Sequence, residues 1–242
     1  MSAGKGTWLA AVCYQPLTPE ERAMETVFKN RREAGLALAE LLYAYHQRSD
    51  VTVLALPRGG VPVGFEVAQA LGAPLDVLVV RKLGLPGRPE YAMGALASGP
   101  AGPVQVLDRR ILQLMNVKDQ AVAEVIDAEQ RELARRETLY RGGRPLPSLA
   151  GRTVIVVDDG LATGSSMLAA VQTLAAQQHP PSRIIVAVPV GSEDAVAALR
   201  QRADEVLCLS TPPDFQSVSR WYEDFGQTED EEVRALLQQA RG

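Results

Sequence analysis

Residues Val154 to Ser166 read Val-Ile-Val-Val-Asp-Asp-Gly-Leu-Ala-Thr-Gly-Ser-Ser: four β-branched apolar residues, two carboxylates, then a loop of small residues. An apolar run this short is the pattern of a strand buried on both faces of a parallel sheet. The helix-period run Met167-Leu168-Ala169-Ala170-Val171 follows it. The loop therefore sits at the carboxyl end of a strand, where open α/β sheets place their ligands. Thr163, Gly164, Ser165 and Ser166 offer hydroxyls and backbone N–H groups at a helix N-terminus, a setting suited to a phosphate dianion. Asp158 and Asp159 would repel that anion, but they can accept hydrogen bonds from a diol or hold Mg²⁺ through water. A phosphate site beside a diol acceptor matches a ribose 5-phosphate, with its 5′ end in the loop and its 2′ and 3′ hydroxyls on the carboxylates.

The flanking sequence supplies the rest of such a sheet. Thr18-Pro19-Glu20-Glu21 is a helix start with a hydroxyl cap and proline at the first helical position. A following helix carries Ala34, Leu38, Leu41 and Leu42 on one face. Val51–Leu56 is a buried strand, Pro57-Arg58-Gly59-Gly60 a turn, Pro62 to Leu71 a helix, and Leu75–Val80 the next strand. That order calls for a right-handed parallel crossover. From Arg81 to about Tyr91 the chain is polar and rich in glycine and proline, which predicts a mobile loop. Short strands follow near Met93–Ala97 and Val104–Leu107. A charged amphipathic helical region, one helix or two, runs from Asp108 to Tyr140, its charges reading as a solvated face. Strands at Ile184–Val190 and Glu205–Leu209, a helix at Glu193–Arg202 and a terminal helix from about Thr228 complete the reading. The expected fold is α/β: a doubly wound, mostly parallel sheet over residues 21–242. It carries a helical insertion at about 108–141, a C-terminal tail at 211–242, and a loosely ordered lead-in over 1–20.

Composition closes off other classes. A net charge of −4 argues against bulk nucleic-acid binding, and no stretch approaches the apolar length of a membrane span. Cys13 and Cys208 match no zinc or redox spacing and read as idle thiols in a reducing cytoplasm. His46 and His179 are the only histidines, too few for a histidine triad or a histidine-based metal site.

The Val154–Ser166 segment resembles the PRPP-binding motif of the type I phosphoribosyltransferases: four aliphatics, two acids, two variable residues, then a small-Thr-Gly-x-Ser/Thr loop running here from Ala162 to Ser166. Gly160 departs from it, since an aliphatic residue is usual there. Leu-Pro-Arg-Gly-Gly-Val-Pro-Val at 56–63, Val-Arg-Lys-Leu-Gly-Leu-Pro at 80–86 and Trp-Tyr-Glu-Asp-Phe at 221–225 extend the resemblance to a stand-alone bacterial branch of that superfamily, from about Phe28 to Leu237. The resemblance implies a Mg²⁺-dependent transfer of the 5-phosphoribosyl group from PRPP to a nitrogen acceptor, a nucleobase, with release of pyrophosphate, by a homodimer. It places Ala162–Ser166 on the 5′-phosphate and Asp158 and Asp159 on the ribose hydroxyls and metal. Arg58, Gly59 and Gly60 would grip pyrophosphate, in a loop that in the family often holds a cis non-proline peptide. Arg81 and Lys82 would close over it from a flexible loop at about 82–92, with Glu90 as their carboxylate partner. A hood over the acceptor would come from the tail.

Three points stay open on sequence grounds. Phe215, Trp221, Tyr222 and Phe225 are either faces on which a base stacks or a satellite core that pins the tail. Position 162 holds an Asp base in hypoxanthine-type enzymes; Ala162 removes it, which counts against a 6-oxopurine transferase of that design without establishing adenine. Regulatory proteins keep the same motif, so a non-catalytic PRPP or nucleotide sensor is the alternative to an enzyme. A phosphoacceptor receiver domain is disfavoured, because the later strand ends, Val190-Gly191 and Leu209-Ser210, lack the Asp and Lys it needs.

Overall fold

A computed structural model describes residues 27–241, apart from the side chain of Glu90. The predicted helix start at Thr18–Glu21, the lead-in over 1–20 and Cys13 lie outside the described residues. In chain order the elements are α1 (Arg31–Leu41), β1 (Val51–Ala55), α2 (Gly60–Leu71), β2 (Leu75–Val77), β3 (Val80–Leu85), β4 (Arg88–Ala97) and β5 (Val104–Leu107). Then come α3 (Arg109–Leu114), α4 (Asp119–Arg141), β6 (Thr153–Val157), α5 (Ser165–Ala175), β7 (Arg183–Val190), α6 (Glu193–Arg200), β8 (Glu205–Ser210) and α7 (Asp230–Gln239).

The central sheet has the order β2-β1-β6-β7-β8 with every neighbouring pair parallel. Every residue of β1 and β6 is buried, Thr52 and Thr153 included, as near-continuous apolar runs require of strands covered on both faces. Side chains alternate between two cores. Val53, Ala55, Ile155 and Val157 face the layer of α1 and α2, while Leu54, Val154, Val156 and Val186 face Met167, Val171 and Leu174 of α5. The register decides where chemistry can happen. Ala55 pairs with Val157, and the Leu56 N–H donates to the Val157 carbonyl at 2.9 Å. The loops leaving β1 and β6 therefore emerge side by side.

The predicted strand at Leu75–Val80 and the mobile loop at 81–91 are corrected by the structure. The parallel strand stops at Val77, and Val80 begins a separate antiparallel sheet, β3-β4-β5, whose first hairpin turns at Pro86-Gly87. Glycine and proline misled the composition argument here. Leu83, Leu85, Met93 and Ala95 are buried, so both strands present a core face. Gly84 lies so close to the partner strand that a Cβ would stand 2.7 Å from the Pro89 backbone, at the register shift of the pair. Glycine there permits a bulged crossing rather than a loop.

The helical region divides in two. Asp108 Oδ1 caps α3 by accepting from the N–H groups of Arg110 and Ile111. At the far end of α4 the buried Arg141 donates from Nη2 to the Val77 carbonyl, and its Nε lies 3.2 Å from Asp76 Oδ1. Tyr140 donates to Asp230 on α7 at 2.6 Å. The tail returns to the start of the described chain: the Phe28 N–H donates to the Trp221 carbonyl and the Glu223 N–H to the Phe28 carbonyl. No described helix is long and apolar enough to cross a membrane.

Candidate active site

The loop after β1 and the loop after β6 interlock through glycine. A Cβ on Gly59 would stand 2.0 Å from Asp159 Oδ2, and one on Gly60 would stand 2.8 Å from the Val157 carbonyl oxygen and 2.9 Å from Asp158 Cα. Backbone cannot yield as a side-chain tip can, so the Gly60→Ala substitution is expected to cost about 1–3 kcal/mol, the usual range for overpacking. An equilibrium denaturant melt checks this. The Pro57–Arg58 peptide is cis, in the loop where the resemblance led one to look for it.

The two carboxylates have different surroundings. Asp158 accepts the Asp159 N–H at 2.9 Å through Oδ1 and lines a cleft of about 290 Å³. Burial, then the neighbouring Asp159 carboxylate, hold its pKa well above the ordinary carboxylate range. Asp159 accepts from Arg31 Nε through Oδ2 at 2.8 Å. Burial raises its pKa too, and the Arg31 charge opposes the rise. Arg31, from the first turn of α1, also donates from Nη1 to the Gly226 carbonyl at 2.7 Å and lies 4.0 Å from the Phe225 ring centroid.

In the cleft the structure brings Asp158 together with Arg81, Lys82 and Ser166, against an apolar wall of Leu56, Leu78 and Val80. Arg136 of α4 joins them, although its helix reads as a solvated charged face. Arg81 Nε is 2.6 Å from Glu129 Oε2 on the same helix. Of the expected donor-site residues, Asp158, Arg81, Lys82 and Ser166 line this cleft, whereas Arg58, Gly59, Gly60, Asp159 and the loop residues Ala162 to Ser165 do not. Arg58 Nη1 lies 3.6 Å from Glu229 Oε2, and its Nη2 donates at 2.8 Å to the side-chain amide oxygen of Gln227 in the amide orientation that satisfies both groups. The side chain of Glu90 lies outside the described residues.

The loop from Ala162 to Ser166 is held open at the sheet edge. The Leu161 N–H donates to the Val190 carbonyl, Ser192 Oγ donates to the Ala162 carbonyl, and Gly164 takes φ +65° just before α5. A left-handed residue there is cheap only for glycine. Thr163 and Ser165 hydroxyls lie 2.8 Å apart, and the first N–H groups of α5 have no partner within the helix. Gly160 departs from the motif for a steric reason. A Cβ there would meet Val218 Cγ1 at 2.6 Å, so a tail residue fills the space an aliphatic side chain would take.

The tail aromatics form a packed cluster with Phe28 and Val190. Tyr222 is buried, and its hydroxyl donates to the Asp159 carbonyl at 2.6 Å. Phe215 and Trp221 sit half-buried at the cluster margin. Sequence reasoning missed Arg31 and Arg136. For Arg31 the available signal was an arginine pair at the start of a helix whose apolar face was already recognised.

Comparison with known proteins agrees with this geometry. A family model described as the phosphoribosyl transferase domain matches residues 26–224. Two relatives from Mycobacterium tuberculosis, strains H37Rv and CDC 1551, carry provisional phosphoribosyl transferase names and are each 46% identical over 215 residues. That match covers 88% of this chain and 47% of theirs, so the chain spans about half the length of these relatives. The crystal structure of TT1426 from Thermus thermophilus is 44% identical with a TM-score of 0.76, covering 89% of this chain and 99% of that one. With a matching fold, a matching motif at the sheet edge and a family model across most of its length, this chain belongs to the phosphoribosyl transferase domain family.

Proposed function

We propose that this chain binds PRPP and transfers its 5-phosphoribosyl group to a nitrogen acceptor, a nucleobase, releasing pyrophosphate. The observation that carries the reading is the convergence of Asp158, Ser166, Arg81 and Lys82 on one cleft at the carboxyl edge of the parallel sheet. Thr163–Ser166 would anchor the 5′-phosphate on hydroxyls and helix N–H groups. Asp158 would accept from the ribose hydroxyls. Lys82, Arg81 and Arg136 would face the pyrophosphate as its C1–O bond breaks and it leaves with the electron pair. The C1–N bond forms on the other side, and remote phosphate binding positions C1 for it. Arg58 would reach the pyrophosphate once Gln227 and Glu229 release it. With Ala162 in the loop, the acceptor's proton goes to water or to a group outside the motif.

Mg²⁺ fits the donor set. Asp158 turns a hard oxygen ligand into the cleft, and no group of three potential ligands occurs among the described residues, so the ion would draw most of its ligands from substrate and water. Asp158, with Asp159 behind it, would hold the ion through ribose hydroxyls or water, and bound Mg²⁺ would neutralise charge on the leaving pyrophosphate. A cytoplasmic homodimer is the setting this reading assumes.

A ³¹P NMR time course with PRPP, Mg²⁺ and pooled purine and pyrimidine bases tests the proposal. Acceptor-dependent pyrophosphate with a new monophosphate signal is the expected result. Intact PRPP would favour the sensor, a reading that the chain's own carboxylates on Arg58 and Arg81 also support.

A further inference from the structure

A second and larger cavity, about 740 Å³, opens between the β3-β4-β5 sheet and the outer face of α5. Its volume lies within the range of small-molecule sites. Lys82, Arg109, Arg110 and Arg202 line it, against one carboxylate, Asp108. That carboxylate is engaged in capping α3. None of the four cations forms an ion pair or a side-chain hydrogen bond with the described residues, in contrast to Arg31, Arg58, Arg81 and Arg141, which all do. In a chain of net charge −4, such a gathering concentrates positive potential in a concave space.

The loop after β6 forms the wall between the two cavities. Ser166 faces the smaller cleft, Thr163 and Ser165 face the larger, and Lys82 lines both. A single 5′-phosphate needs the loop and at most one cation, which leaves three arginines without an anion to bind. The floor is apolar, with Leu107 and Leu168 contributing to it, and suits a planar base rather than a bare ion.

We propose that this cavity is a second ligand site, adjoining the donor site and sharing Lys82, Thr163 and Ser165 with it, and that it takes a nucleoside polyphosphate. The base lies on the apolar floor and the phosphates lie on Arg109, Arg110 and Arg202, whose guanidinium groups match phosphate in shape and charge. The proposal does not depend on turnover, and its test omits PRPP.

Titrations of the full chain with a fluorescent mant-GTP and with inorganic tripolyphosphate, at roughly physiological ionic strength of about 0.15 M, decide it. Both probes are expected to bind. Arg202→Ala and the double substitution Arg109→Ala/Arg110→Ala are each expected to weaken both by at least about tenfold. Arg220→Ala, at an exposed position away from the cavity, should leave affinity unchanged, and all variants should melt like the parent because the altered side chains are exposed. Absence of binding by the parent chain, or equal affinity in the arginine variants, overturns the proposal. So does loss of binding through Ser166→Glu with indifference to the arginines, which would place the polyphosphate in the donor cleft. Tighter retention of a single-stranded oligonucleotide through the same arginines would also overturn it, in favour of a nucleic-acid strand.

Discussion

Asp158→Asn is expected to lower turnover by at least about 100-fold while raising the melting temperature. The two effects share one cause. Asp158 is a half-buried carboxylate next to another, and Arg31 neutralises its neighbour rather than itself. Asparagine keeps Oδ1 for the Asp159 N–H, so the local backbone survives, but it removes the charge that would face the ribose and the metal. A 100-fold loss corresponds to about 2.7 kcal/mol of transition-state stabilisation. The gain in stability follows from linkage. Burial and Asp159 raise the proton affinity of Asp158 in the fold above that of the unfolded chain. Stability from this group is therefore present at low pH, where it is protonated, and is lost as pH rises through its folded pKa. The asparagine variant never loses it. At neutral pH the gain should be of order 1 kcal/mol, typical of relieving an unfavourable active-site group, or about 2–4 °C for a chain of this size. Calorimetry across pH reads the second effect and steady-state rates the first. A variant that turns over normally sinks the assignment of Asp158, and one that melts lower at neutral pH sinks the linkage argument.

How much of this was legible in the sequence depended on whether a signal was local. The run at 154–166 carried its own strand, loop and helix start, because burial on both faces leaves no polar position between Val154 and Val157 to blur the pattern. The same held for β1 and its Gly59-Gly60 turn. The β3–β4 hairpin was hidden because its strands use Gly84 and Pro89 for a close crossing, chemistry that in isolation reads as a loop. Arg136 was hidden because a charged helix looks the same from outside whether it faces water or a cleft. The distinction between Asp158 and Asp159 was invisible for a third reason. Adjacent residues at a strand end point different ways, and which one meets a cation depends on Arg31, 128 positions away.

Arg31→Met should cost the fold a large part of its stability. The side chain is only 13% exposed and Asp159 only 15%, so the pair is close to a buried one. Removing the cation leaves Asp159 charged, desolvated and beside Asp158, the situation in which breaking a buried pair costs about 3 kcal/mol or more. It also removes the donor to the Gly226 carbonyl and the cation over Phe225, loosening the tail segment that holds Gln227 and Glu229 near Arg58. The expected fall in melting temperature is about 6–12 °C. Arg31→Lys should land between, since a lysine retains the charge without the planar fork that serves Asp159 and Gly226 together. Two comparisons separate an orphaned charge from lost packing. The double variant Arg31→Met/Asp159→Asn should recover much of the loss, because no carboxylate is then left without a partner. The deficit of Arg31→Met relative to the parent should also shrink as pH falls, since protonation of Asp159 removes the uncompensated charge in one and the ion pair in the other. If Arg31→Met melts like the parent, the pair holds nothing together. If the deficit is constant with pH and the double variant recovers nothing, Arg31 acts as packing for the tail, and its charge is incidental to Asp159.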